Sequence, residues 1–260
     1  MAVRRFFSQA WLYTKGRQAA FQWEEFLLLE AGYPFLTLVF YCVLAAYSFR
    51  TSNLSHWVAG NALLLCVNTC LFRLGSAFQG ERRYGRLRSI LASPASLLAV
   101  VLESGFFPML LSAVTAAGGF CLGSLLFGVT LRHAPWGLLM AVILTAMMAM
   151  TGLGLLLSAL SLLGDGMHFL LNVSQYVLMI FTGVQFPVDQ LPAAVRWISG
   201  LLPLTRSVRA MDLLLAGDRR GWIPLAAGEA ALGLADCLLA AGLLRLTARR
   251  AMKTGGLELF

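Results

Sequence analysis

The sequence predicts an all-α, polytopic membrane protein with six transmembrane helices. An amphipathic helix in the membrane interface precedes them, a short cytoplasmic helix follows the second, and short extracytoplasmic helices precede the last. Three observations predict this. Mean hydropathy is +0.77, with 59% hydrophobic and 12% charged residues, well above a water-soluble domain. Several apolar runs reach the roughly 20 residues needed to cross a hydrocarbon core of about 30 Å. Arginine and lysine gather between those runs rather than within them. The chain reads as one transmembrane domain, 1–260, with residues 1–26 interfacial, 80–96 a cytoplasmic loop and 187–221 an extracytoplasmic cap.

In residues 3–24, Arg4, Arg5, Lys15 and Arg17 alternate with Phe6, Phe7, Trp11, Tyr13, Phe21 and Trp23. Val3, Phe7, Ala10 and Trp11 recur at helical spacing. The basic start VRRFF runs into the polar SQAWLYTKGRQ, so no cleavable leader is expected. The spans fall at 27–49, 57–79, 97–127, 136–162, 168–186 and 222–247. Both termini are expected in the cytoplasm, because basic residues crowd the amino-terminal arm, the segment GERRYGRLRSILASP at 80–94 and the carboxyl tail. Two of the opposite loops hold only Arg50 and Arg132. Residues 187–221 run against the rule, with Arg196, Arg206, Arg209, Arg219 and Arg220. Two short helices near 190–201 and 204–216, broken at Pro203, form a partly re-entrant cap there, or the segment is a solvated loop.

Charges inside spans need partners, since each costs about 2.5–3.5 kcal/mol on insertion scales. Arg73 and Glu103 lie about 9 Å from the same boundary and are expected to pair across the second and third spans. Glu229 and Asp236, seven apart on one face of the last span, meet arginines of the cap such as Arg206 or Arg209, or line a wet path. Asn172, Gln175, Tyr176 and Met179 form a stripe on the fifth span, with Thr182 beyond. It suits a helix contact or the wall of a translocation path. Gly119 and Gly123 form a G-x-x-x-G that permits close approach.

The function classes excluded are informative. There is no phosphate-cradling G-x-x-x-x-G-K-[ST], no H-E-x-x-H or other metal cluster, and no nucleophile elbow. The five cysteines all fall in apolar runs as small buried hydrophobes, and no metal site is expected. A net charge of +8 suits anionic lipids at a cytoplasmic membrane surface rather than nucleic acid.

ERRYGRLRSILASPAS at 81–96 and FTGVQFPVDQLPAAVRWISGLLPLTRSVRAMDLLLAG at 181–217 resemble two stretches of the permease subunits of type 2 ABC exporters, which carry drugs, lipids or polysaccharides. The first is similar to the family's Glu-Arg, Gly and Ser-Pro coupling loop. The second is similar to its fifth-span exit, with proline pairs and a Pro-Leu-Thr turn. The resemblance implies a bacterial or archaeal cytoplasmic-membrane permease, a pair of like or paralogous permeases, and two separate ABC ATPase subunits that bind the ATP and Mg. This chain would bind no cofactor and catalyse nothing. It further implies ATPase coupling through Glu81, Arg82, Arg83, Gly85, Arg86 and Pro94. The exit cap would be shaped by Pro187, Pro192, Pro203, Arg209 and Asp212. The chain departs from the family pattern at Arg86-Leu87-Arg88, where Thr-Leu-Glu is common, at the order of Arg209 and Asp212, and at Leu202, where Asn is usual. The expected substrate is an amphiphile such as a drug, peptide or lipid. The alternatives are polysaccharide or lipid-linked glycan export, and an ion-gradient-driven carrier using Glu229 and Asp236.

Overall fold

The computed structural model describes residues 2–18, 32–51, 53–83, 85–93, 96–129, 136–162 and 166–254. They form α1 (Ala2–Gln18), α2 (Tyr33–Phe49), α3 (Ser55–Gly75), α4 (Ala77–Arg83), α5 (Leu87–Ala92), α6 (Leu97–Phe127) and α7 (Trp136–Ser161). α8 (Met167–Phe181), a 3-10 turn (Val188–Gln190), α9 (Ala193–Leu201), α10 (Thr205–Leu215) and α11 (Trp222–Thr254) follow. No strand occurs among the described residues. By length and composition α3, α6, α7 and α11 can cross a membrane, and α2 and α8 are shorter apolar helices. Several apolar helices in one chain make this a multi-pass membrane protein.

The long helices satisfy their own polar groups, as lipid demands. Ser96 caps α6 by accepting the Ala99 N–H at 3.2 Å, and Gly128, at φ +66°, ends it. Buried hydroxyls turn back on their own helices: Ser112 donates to the Met109 carbonyl, Thr151 to Met147 and Ser158 to Leu155, all at 2.7–2.8 Å.

α3 is the hub. Val58, Ala59, Leu63, Cys66, Cys70, Leu71 and Leu74 along it are buried, and it packs on α2, α6, α7, α8 and α10. Gly119 and Gly123 of α6 do admit close neighbours: added Cβ atoms would stand 2.7 Å from Leu65 and 2.8 Å from Val58. The broadest pairing, α7 with α11, is closer still. There an added Cβ on Gly233 would meet the Ala149 backbone at 2.6 Å, and one on Gly152 the Asp236 Cβ at 2.7 Å.

Several expected boundaries move. The second span ends at Gly75 rather than 79, because the chain breaks at Ser76 before α4. The fifth ends at Phe181 rather than 186. Thr182 caps the helix, Gly183 takes φ +88°, and residues 182–186 bend away from the axis. α11 runs to Thr254 rather than 247. Residues 27–31, the expected start of the first span, lie outside the described residues. Among the cysteines Cys42, Cys66 and Cys70 are buried as expected, but Cys121 is exposed on α6 and Cys237 half-buried on α11.

Because α3, α6, α7, α8 and α11 alternate in direction, the molecule has two ends. α1 and the arginine loop share one, and residues 182–221 occupy the other.

Candidate functional site

At the arginine end the expected single short helix is two, α4 and α5, folded about Gly85. Its φ of +69° is the left-handed conformation that glycine adopts without strain. The Gly85 and Arg86 N–H groups donate back to the Arg82 and Glu81 carbonyls, each at 2.9 Å. The turn is clasped by side chains: Arg86 Nε lies 2.9 Å from Glu81 Oε2, and its Nη2 donates to Oε1 at 3.2 Å. Arg82 Nη2 reaches across to the Leu162 carbonyl just beyond α7, at 2.5 Å. Leu87 and Phe78, both buried, root the two short helices, while Arg83 and Arg88 are exposed. Pro94 lies outside the described residues.

α1 lies beside this hairpin. Phe6, Phe7 and Trp11 meet Phe106 and Phe107 of α6 edge to face, at centroid distances of 5.3–5.5 Å. Burial, then the Glu81 and Glu103 carboxylates, push the Tyr13 phenol above its ordinary range, so one ring senses both the clasp and α6. Here the expected Arg73–Glu103 pair is replaced. Glu103, 8% exposed, accepts the Gln9 side-chain amide on both carboxylate oxygens, at 2.8 and 3.0 Å, with Arg5 nearby. The interfacial helix lies over Glu103 and supplies a donor that the spacing of spans could not foresee.

Midway along the bundle, Asn172 and Tyr176 of α8 are exposed, and Gln175 and Met179 half-buried. Asn172 donates to the His168 carbonyl of its own helix at 2.7 Å. Tyr176, and Tyr33 of α2, lie within electrostatic reach of Tyr41. Thr182 does not join this stripe, being fully buried with its hydroxyl on the Leu178 carbonyl.

The cap end is the more elaborately bonded. Pro187 precedes the 3-10 turn and Pro192 precedes α9. After α9 the buried Pro203 leads to Leu204 at φ +83°, a conformation costing a side-chain-bearing residue about 1–2 kcal/mol. Glu229 of α11 offsets that cost. It is fully buried, and its carboxylate accepts the Leu204 N–H and lies against the Arg206 and Ser207 backbone amides, so it caps α10 from another helix. Arg206 Nη2 in turn donates to the Gly200 carbonyl at 2.8 Å, and the Thr205 hydroxyl to Ser199 at 2.6 Å, closing the end of α9. Asp236 takes no part: it is half-buried beside Gly152, and among the described residues it has no hydrogen-bond or ion-pair partner.

The first two turns of α3 hold the rest of the cap. Trp57 Nε1 donates to the Gln185 carbonyl at 3.0 Å, Gln185 Nε2 to Asn61 Oδ1 at 2.9 Å, and Asn61 Nδ2 to the Trp57 carbonyl at 2.8 Å. An added Cβ on Gly60 would meet the Val184 backbone at 3.2 Å, so the 182–186 bend lies directly on α3. His56 Nδ1 stands 2.8 Å from Asp212 Oδ2 of α10, while Arg209 is exposed. The sequence reading missed His56, Trp57, Asn61, Gln185 and Gln9. The available signal was amide side chains inside otherwise apolar runs, which lipid tolerates only when bonded.

The described residues form a multi-pass helical bundle with the clasped α4–α5 hairpin at one end and the α9–α10 pair at the other. Residues 19–215 match the ABC-2 type transporter family over most of the chain, and the protein belongs to that family. No curated protein matches it closely enough to narrow the reading further. Members of the family work with ABC ATPase partners, and this chain carries no nucleotide-binding loop of its own.

Proposed function

We propose that the chain is the transmembrane permease subunit of an ATP-driven exporter that moves an amphiphilic substrate out of the cell. Two permeases and two separate ATPase subunits make up the complex. The α1 and α4–α5 end faces the cytoplasm together with both termini, and residues 182–221 face outward. The observation that carries this reading is the placement of the α4–α5 hairpin and the α9–α10 cap at opposite ends of one helix, α3, within an ABC-2 chain. ATP-driven closure of the ATPases would push on the hairpin and α1, and the bundle would pass that movement to the cap. The exposed faces of α2 and α8, with Asn172, Gln175 and Tyr176, would wall the path once a second permease covers them.

A second reading, glycan export, gains from the nearness of Tyr33, Tyr41 and Tyr176, since aromatic rings stack on sugar faces. The ion-driven carrier loses support, because Glu229 is engaged by α10 backbone amides.

Purified with its cognate ATPase in lipid nanodiscs, the permease should change ATP turnover when amphiphiles are added. Turnover indifferent to the permease would overturn the proposal, and stimulation by oligosaccharides alone would select the glycan reading. Labelling of a cysteine placed at Asp218 from the outer side tests the orientation, and labelling from inside only would reverse it.

A further inference from the structure

α3 receives the cap through two kinds of bond. Trp57, Asn61 and Gln185 form a neutral network that no change of pH in the physiological range alters. His56 is the exception, because imidazole is the side chain whose ordinary titration spans that range. Its two nitrogens differ: Nδ1 faces the Asp212 carboxylate at 2.8 Å, and Nε2 is buried without a hydrogen-bond partner. In the neutral ring with its proton on Nδ1, Asp212 still accepts a hydrogen bond, but from an uncharged donor. The imidazolium turns the Nδ1 contact into an ion pair and ties α10 more tightly to α3.

Asp212 is the one charged group among the described residues that bears directly on the ring. Arg209, one turn earlier on α10, is exposed, the bend presents only backbone, and Trp57 beside His56 is neutral. The side chains of His56 and Asp212 are 18% and 36% exposed, so protons have access.

We propose that His56 and Asp212 form a proton-operated latch on α10. It is shut when the ring is charged and slack when the ring is neutral, whereas the bend stays fastened in both states by the Trp57–Asn61–Gln185 network. The proposal concerns this chain alone and stands whatever substrate or ATPase it works with.

Hydrogen exchange of α10 amides in nanodiscs, corrected for intrinsic chemical rates, measures the latch. Replacing an ion pair with a hydrogen bond from a neutral ring to the same carboxylate should lower α10 protection about five- to tenfold between about pH 6 and about pH 8, with residues 182–186 unchanged. H56Q should remove the pH dependence and hold protection at the high-pH level, as should D212N if H56Q folds poorly. Equal wild-type protection at both pH values, or a pH dependence retained in H56Q, would overturn the proposal. A second readout needs no change to the pair. The His56 and Trp57 rings stand edge to face at 5.4 Å, so an imidazolium should quench Trp57 emission, isolated by subtracting W57F. Trp57 emission that does not titrate between about pH 5 and about pH 8 would likewise overturn it.

Discussion

At the arginine end Glu81, its side chain 12% exposed, meets an Arg86 side chain that is 59% exposed, whereas at the cap end Glu229, Asn61 and Gln185 are all buried. The physics of the two settings differs. An ion pair whose guanidinium stands in water contributes only about 0–1 kcal/mol, because water screens it and can replace it. A buried polar group left unbonded costs about 1–3 kcal/mol, and a buried charge more. The hairpin clasp is therefore the easier to exchange and the cap bonds the costlier to lose, which suits the coupling and exit roles proposed for the two ends.

Mutations sharpen that contrast. The largest effect is expected for E229A, which orphans the Leu204 N–H and the first turn of α10. It should lose about 3–5 kcal/mol, seen as aggregation in size-exclusion profiles or a collapse in thermal stability. G233V comes next. Its side chain would strike the Ala149 backbone, costing about 1–3 kcal/mol and loosening the α7–α11 crossing, measurable as a lowered Tm. N61L and Q185L should each cost about 1–3 kcal/mol, and the double variant less than their sum, because each single change strands the other's amide. Smallest is E81A, expected to change Tm by less than about 1 kcal/mol equivalent while weakening co-purification with the ATPase. If E81A destabilised the protein as strongly as E229A, the contrast between the two ends would fail.

Much of the architecture was legible in the sequence because lipid imposes length and composition on every helix that faces it. The apolar runs at 97–127 and 136–162 and the break at Pro203 are written locally, whereas the fold of the arginine segment about Gly85 was not read from it. The partners of the charged and amide side chains were not legible. His56 and Asp212 are 156 positions apart, Trp57 and Gln185 128 apart, and no local pattern links them. Glu103 illustrates the limit: its depth and need for a donor could be read, but Gln9 could be found only once α1 was laid across α6. For Glu229 the sequence offered arginines of the cap, Arg206 or Arg209, or a wet path. The bonds themselves go to backbone amides, which have no sequence signature.

Gly154 of α7 has a further mechanical meaning. An added Cβ there would stand 2.9 Å from the Cys70 carbonyl, so α3 touches α7 backbone to side at that point with almost no cushion between them. From Cys70 the helix extends about 7.5 Å to its end at Gly75 and about 20 Å to Trp57, at about 1.5 Å per residue. Cys70 is thus a fulcrum with unequal arms. A rigid tilt of α3 about it would turn a sideways shift of about 1 Å at Gly75 into about 2.6 Å at Trp57. Enlarging the fulcrum with G154A should blunt this gain before it unfolds the protein.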